Sequence, residues 1–256
     1  MSHPDHTART GHPDHTGRTG HPDHTGRTGH PDHTGRTGHP DRTGLESLFP
    51  PALFTAGLIA LGWALIRECG QWSDSLHRAH AVLIGLYLLW ILLELRITFR
   101  AAPHDSGGDD RGTMQWYGAA RGVVVGTALF VGPWWHSWGP VQWLSAAVFV
   151  CGAALRLAAI RQLGRFYSHK VRTLGDHQVV RSGPYRMVRH PAYSGMVLAH
   201  AGFVGVFANP LSVAALLALL VPAVVLRIHA EEQTLMDLRG YADYAQHRKR
   251  LIPAVW

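Results

Sequence analysis

An all-α, polytopic membrane protein with about six transmembrane helices is the fold class this sequence predicts. Three observations lead there. Of 256 residues, 46% are hydrophobic and only 16% charged, where a soluble domain carries about 25% charge. Apolar stretches long enough to cross a bilayer recur between residues 48 and 229. Arginines and lysines gather in alternate connecting segments, the charge pattern of membrane loops. A mean hydropathy near zero conceals this, because a polar N-terminal region is averaged with a strongly apolar remainder.

Three regions follow: 1–46, 47–160 and 161–256. The first is built on a nine-residue unit beginning His-Pro-Asp-His, repeated from residue 3 and ending in a shortened copy. Each unit holds Gly and Pro and offers no apolar surface to bury, so the entropy of ordering it goes uncompensated. Residues 1–44 are expected to be disordered. They lack the apolar core of a signal peptide. Their nine histidines stand beside aspartates, ligand types that suit Zn, Ni or Cu. Weak metal binding by this tail stands beside the plainer reading, a repeat expansion without a role.

A span needs roughly 20 mostly apolar residues. Six candidates are found, at 48–66, 79–99, 114–135, 138–160, 192–208 and 211–229. Only Asn209-Pro210 separates the last two, which predicts a tight helical hairpin. The richest basic segments are 156–190 and the C-terminal tail with Arg239, Arg248, Lys249 and Arg250; the loop 96–111 adds three arginines. The turn 132–140 has no Lys or Arg and is rich in Trp, as an interfacial belt should be. Both termini are therefore expected in the cytoplasm, and the plasma membrane of a bacterium is the expected location. Arg67 and Arg78, in the loop 67–78, are the one vote against this orientation.

The formal charge of +7 does not point to nucleic acid, because the basic residues lie in short segments between apolar stretches. Cys69 and Cys151 give no disulfide framework, and Cys151, inside an apolar stretch, is expected as a buried thiol. Ionisable residues within spans are costly. Here they are Glu94, Arg96, Arg121 and Arg156. The arginines have the option of snorkelling to headgroups. Glu94 is too short for that and is expected to pair with Arg96, Arg121 or Arg156.

The segment 161–195 is polar, basic and aromatic, and is longer than a connector needs. Gly183-Pro184 marks a turn, and Pro191 stops any helix that precedes it. After the hairpin, Arg227 and Glu231 are four apart and share a helix face. Leu235, Leu238 and Ala242 give the C-terminal segment an apolar side, which predicts a short amphipathic helix on the membrane surface.

Together these residues carry a resemblance. His177-Gln178-Val179-Val180, Gly183-Pro184-Tyr185, Arg189-His190-Pro191-x-Tyr193-x-Gly195, Arg227 with Glu231-Glu232, and Tyr241 with Tyr244 before a closing proline resemble the isoprenylcysteine carboxyl methyltransferases. Phospholipid methyltransferases share part of the pattern. The match spans about 160–253. The resemblance implies an S-adenosyl-L-methionine pocket at the cytoplasmic membrane face, roofed by this loop and the C-terminal segment. His177, Val179, Val180, Tyr185, His190, Pro191, Ala192 and Tyr193 would line it, with Gln178 contributing backbone. Glu231 would hold the polar end of the cofactor, and Arg227 would face the carboxylate of a lipophilic methyl acceptor.

The residue types suit that chemistry. The cofactor carries a sulfonium, an ammonium and a carboxylate, and each needs a partner at low dielectric. Glu231 can accept from the ammonium, and Arg189 or His190 can donate to the carboxylate. A carboxylate acceptor is already nucleophilic at neutral pH and needs only alignment, a task for a guanidinium. An amine acceptor needs a base, for which Glu232 and His229 are the candidates. Glu232 is otherwise a solvated charge at a helix end, and Tyr241 and Tyr244 are expected as interfacial anchors. No residue is assigned to a metal in the membrane region.

Two departures from the family pattern are visible. The spacing at Gly240-Tyr241 is shorter, and Ser168-His169-Lys170 stands where a different polar contact is usual, so no role is assigned there. No GxGxxG element follows a strand, which leaves a soluble Rossmann-type methyltransferase unsupported. The rival classes are an NADPH-dependent membrane reductase, with the arginines of 161–189 serving a phosphate, and a metal-handling membrane protein acting through the tail.

Overall fold

The computed structural model describes residues 44–101, 113–164 and 179–256. The repeat tail, the expected site residues His177 and Gln178, and residues 168–170 lie outside the described residues. The described residues are helical and contain no β-strand. The helices are α1 (Gly44–Cys69), α2 (Ser75–Ala101), α3 (Thr113–Val131), α4 (Pro140–Leu163), α5 (Pro191–Val206), α6 (Pro210–Ala215), α7 (Val221–Leu235) and α8 (Tyr241–Gln246). A π-helical turn, Leu216–Leu220, joins α6 to α7, so the chain is continuously helical from Pro210 to Leu235.

Proline placement explains most of the boundaries. Pro140, Pro191 and Pro210 each start a helix, where the missing N–H costs nothing. Pro222 lies inside the long rod, and the wider π turn immediately before it accommodates the donor it lacks. Asn209 caps α6 by accepting from the Ser212 amide at 2.9 Å. Its side-chain amide also donates to Thr127 O of α3 at 2.9 Å. The expected hairpin at Asn209-Pro210 is therefore tied to a third helix.

Among the described residues, four helices are long and apolar enough to cross a membrane: Ala52–Cys69, Ser75–Ile97, Pro140–Leu163 and Pro210–Leu235. The other two expected spans correspond to α3 and α5. Helix α3 carries Arg121 and three glycines among its 19 residues. Helix α5 has 16 residues, about 24 Å at 1.5 Å per residue, short of a hydrocarbon core of about 30 Å. Large apolar side chains face outward along the rods, among them Ile59, Ile66, Leu89, Leu92, Leu144, Leu217 and Leu226. An exposed apolar surface of that extent belongs in lipid. Cys151 is exposed on this outer surface, not buried as expected, because the inward face of α4 is taken by Phe149, Gly152, Ala153 and Arg156.

The tightest seam runs between α4 and α5. A Cβ on Gly152 would lie 2.3 Å from the Ala199 amide nitrogen, and one on Gly202 would lie 2.2 Å from that of Phe149. Backbones meet there because neither glycine holds them apart, the usual solution for membrane helices. The aromatic core sits beside this seam. Tyr87 packs edge-on to Trp90 at 5.2 Å and parallel to Phe149 at 6.0 Å. Buried His200 presents Nδ1 to Met196 O at 2.9 Å and Nε2 to the Tyr87 hydroxyl at 3.1 Å. A carbonyl only accepts, so Nδ1 carries the proton and Nε2 accepts from Tyr87.

Glu94 pairs with Arg156, as one of its three expected options. The guanidinium Nε donates at 2.9 Å and Nη2 donates to the other oxygen. Arg156 Nη1 also donates to Ala192 O at 3.2 Å, which fixes the first turn of α5. Arg121 instead lies over the rings of Trp90 and Tyr117, 5.6 and 5.7 Å from their centroids. Arg96 is exposed.

Candidate active site

The last turn of α4, the start of α5 and the end of α7 come together at one end of the bundle. The segment entering α5 begins with Gly183, whose φ of +58° favours glycine. Pro184 then starts a single 3₁₀ turn, Gly183–Arg186. The expected lining residues Val180, Tyr185 and Ala192 meet here in one apolar cluster with Ala159 and Leu163 of α4. Val179 is half-buried beside them in sequence. Pro191 is buried as the first residue of α5.

The C-terminal segment folds back over this entry. Val188 bridges to Lys249, and the Arg189 and His190 amides donate to Lys249 O and Arg250 O at 2.8 and 3.0 Å. Ser194 Oγ donates to Leu251 O at 2.7 Å. Helix α8 has six residues and buries Tyr241 and Tyr244. That corrects two expectations. The amphipathic face does not run through Leu235, Leu238 and Ala242, since Leu235 ends α7 and Ala242 is exposed. The two tyrosines are not interfacial anchors. The Tyr244 hydroxyl donates to Tyr185 O at 2.6 Å, and burial pushes its pKa up to about 12. Burial, reinforced by the Glu232 carboxylate, pushes the Tyr241 hydroxyl above its usual range. Gly240, at φ +83°, makes the sharp entry to α8.

Glu232 is the polar hub. Its carboxylate takes Arg189 Nη1 at 2.7 Å, Arg250 Nε at 2.8 Å and His190 Nε2 at 3.2 Å. Glu232 is 5% exposed and His190 4%, so the solvated helix-end reading is overturned. The groups expected to meet the cofactor carboxylate, Arg189 and His190, are instead engaged with this residue. Sequence reasoning missed Arg250, which was counted only as loop charge.

Arg227, one turn earlier on α7, is buried. Its Nε donates to the Tyr193 hydroxyl at 3.3 Å and its Nη1 to Thr113 Oγ1 at 2.8 Å. Tyr193 stands edge-on to Tyr117 at 6.1 Å and tilts over His190 at 5.9 Å. Glu231 is half-buried, and His229 is exposed. Polar atoms buried around this end without a hydrogen-bond partner include Tyr117 Oη, Arg189 Nε, Tyr241 Oη and Arg248 Nε. Buried donors of that kind call for an acceptor.

Comparison with known proteins agrees with the motifs. The model of the isoprenylcysteine carboxyl methyltransferase family matches residues 144–237, from α4 to just past the end of α7. Protein-S-isoprenylcysteine O-methyltransferase B of Arabidopsis thaliana is 31% identical over 136 residues, covering 52% of this chain and 68% of that protein. A probable protein-S-isoprenylcysteine O-methyltransferase of Oryza sativa subsp. indica is 32% identical over 110 residues, 41% of this chain and 58% of the relative. The Saccharomyces cerevisiae protein-S-isoprenylcysteine O-methyltransferase is 29% identical over 110 residues, 42% and 46% of the two chains. The aligned region thus spans from about half to two thirds of these relatives. With the Gly-Pro-Tyr and Arg-His-Pro-x-Tyr-x-Gly elements folded against Arg227 and the paired glutamates, this chain belongs to the isoprenylcysteine carboxyl methyltransferase family.

Proposed function

We propose that this protein methylates the carboxylate of an isoprenylated cysteine, with S-adenosyl-L-methionine as the methyl donor. The observation that carries the reading is the convergence of Arg227, Tyr193, His190 and half-buried Glu231 at one end of the bundle. The residues present fit the donor. Tyr117, Arg189 and Tyr241 each have a buried polar atom without a partner, and half-buried Glu231 offers a carboxylate. When bound, the cofactor supplies an electrophilic methyl on a sulfonium. Glu231 would hold its ammonium, and Val179, Val180, Tyr185, Ala192 and Tyr193 would line its pocket, with His177 and Gln178 completing the wall. Glu232 would act through others, holding Arg189 and His190 in place.

Arg227 would align the acceptor carboxylate, and its bonds to Tyr193 and Thr113 hold the guanidinium for that task. A carboxylate acceptor is favoured over an amine by the state of the candidate bases. Glu232 already serves three cationic or imidazole partners, and His229 is exposed, with Nδ1 committed to Val225 O at 2.8 Å. We further propose that α3 and α5 join the four longer rods as spans, and that the site faces the cytoplasm with both termini, the side that most of the loop arginines favour. The expected bacterial plasma membrane gains no support from relatives of plant and fungal origin, and the location proposed is simply a membrane.

Isothermal titration of S-adenosylhomocysteine into detergent-purified protein tests the reading. Wild type should bind saturably, and Glu231→Ala should bind about tenfold to a hundredfold more weakly, the value of a lost charge-assisted hydrogen bond. No binding by folded wild type would overturn the assignment and turn attention to NADPH.

A further inference from the structure

Glu68 lies in the last turn of α1 and faces His77 and His80 in the first turns of α2. This is the opposite end of the bundle from Arg227. Helix α3 connects the two ends, since Thr113 at its start takes Arg227 and Leu129 O near its finish takes Arg67 Nη2 at 3.0 Å. No metal ligand was expected here from the sequence.

One potential ligand atom from each of Glu68, His77 and His80 lies within 4.8 Å of the other two. The carboxylate is divided between two tasks. Oε1 accepts from Arg67 Nη2 at 2.8 Å and Nε at 3.2 Å. Oε2 is turned to the imidazoles, 2.7 Å from His77 Nδ1 and 3.4 Å from His80 Nδ1. Arg67 therefore orients the carboxylate as an outer-shell partner orients a ligand. His77 and His80 are three residues apart on a helix and share a face.

Burial separates this group from a surface ion pair. The side chains of Glu68 and His80 are 4% and 5% exposed, while that of His77, at 26%, leaves one side open. Glu68 accounts for His77 Nδ1 and faces His80 Nδ1, but it leaves the other nitrogen of His80 unserved. His80 Nε2 is buried without a partner, among the rings of Phe207 at 4.7 Å and Trp138 at 6.2 Å. If Nδ1 holds the ring proton, a lone pair is left facing π-systems whose faces are themselves negative. A cation taken by Nδ1 moves the proton to Nε2, and an N–H suits those rings better.

We propose that Glu68, His77 and His80 bind one divalent transition-metal ion of the zinc class. Two imidazole nitrogens and one carboxylate oxygen are the donor set such ions take. The ion would replace the hydrogen bond between His77 and Glu68 and staple α1 to α2, with its remaining position open on the His77 side. Nothing in the methyl-transfer reading depends on it.

The nine tail histidines would themselves take up zinc, so the test uses the full-length chain with all nine replaced by Ser. Detergent-purified protein is dialysed against zinc sulfate, washed in zinc-free buffer, and measured for bound zinc and for thermal unfolding. The expected result is retention of zinc near one equivalent and a higher unfolding midpoint. His80→Ala and His77→Ala should each weaken retention by about tenfold or more and abolish the rise in midpoint. Should His80→Ala fail to elute as folded protein, the more exposed His77→Ala decides. No zinc retained by the folded, tail-replaced chain overturns the proposal, as does equal retention by His77→Ala.

Discussion

Two buried glutamates sit at opposite ends of the bundle, each ringed by arginine and histidine, and they organise the chain in different ways. Glu68 draws its partners from one helix–turn–helix: Arg67 beside it, and His77 and His80 within twelve residues. Glu232 draws Arg189 and His190 from more than forty residues upstream and Arg250 from eighteen downstream. The first is a local clamp on a turn. The second fastens three segments of the candidate site into one body. Partners of similar chemistry therefore carry unequal structural weight, because the amount of chain held depends on how far apart the partners lie.

The largest effect should follow from Glu232→Ala. It leaves Arg189 and His190 buried without their carboxylate, a loss of about 3–5 kcal/mol for a broken buried pair. The unfolding midpoint in detergent should drop by about ten degrees, and S-adenosylhomocysteine binding should be lost with it. Glu231→Ala, by contrast, should lose binding with little change in the midpoint. An unchanged midpoint in Glu232→Ala would sink the hub reading.

Glu68→Ala should cost less. Arg67 is 39% exposed and His77 26%, so both recover water when the carboxylate goes. A loss of about 1–2 kcal/mol is expected in zinc-free buffer, with S-adenosylhomocysteine binding unchanged at the far end. Equal destabilisation by the two substitutions would erase the distinction between a local clamp and a long-range hub.

Much of this architecture was legible in the sequence, for physical reasons that also mark where legibility stops. The rods announce themselves by apolar length, and Pro191, Pro210 and Asn209 by their effect on helix starts. The site end was visible because Gly183-Pro184-Tyr185 and Arg189-His190-Pro191 impose a particular backbone there. The division of labour between Glu231 and Glu232 was not visible. Neighbours on a helix point about 100° apart, and which one turns inward depends on where α5 and the C-terminal segment lie. Arg250 was hidden for the same reason, since a basic tail residue gives no sign of a partner eighteen positions earlier. Glu94 needed a cation, but three were within reach along the chain, and only the close α4–α5 seam at Gly152 and Gly202 selects Arg156. The α1–α2 histidines were passed over because an imidazole at the start of a helix gives no sign of the carboxylate it meets across a turn.

The smallest effect sharpens the hub from its outer edge. Tyr244 donates to Tyr185 O and Val188 O, at 2.6 and 3.2 Å, joining α8 to the loop that carries Arg189. Tyr244→Phe should cost about 1 kcal/mol for the lost hydrogen bonds. The pH dependence gives a second readout. The hydroxyl titrates near 10 in the unfolded chain and at about 12 in the folded one, so the neutral form is favoured by folding. Its contribution is complete below pH 10 and is lost as pH rises from about 10 to 12, because the unfolded state releases its proton first. Wild type should therefore lose more stability than Tyr244→Phe between pH 9 and pH 11 when unfolding is followed by circular dichroism in detergent. Parallel pH profiles would mean that this hydroxyl is solvated and that α8 does not hold the loop.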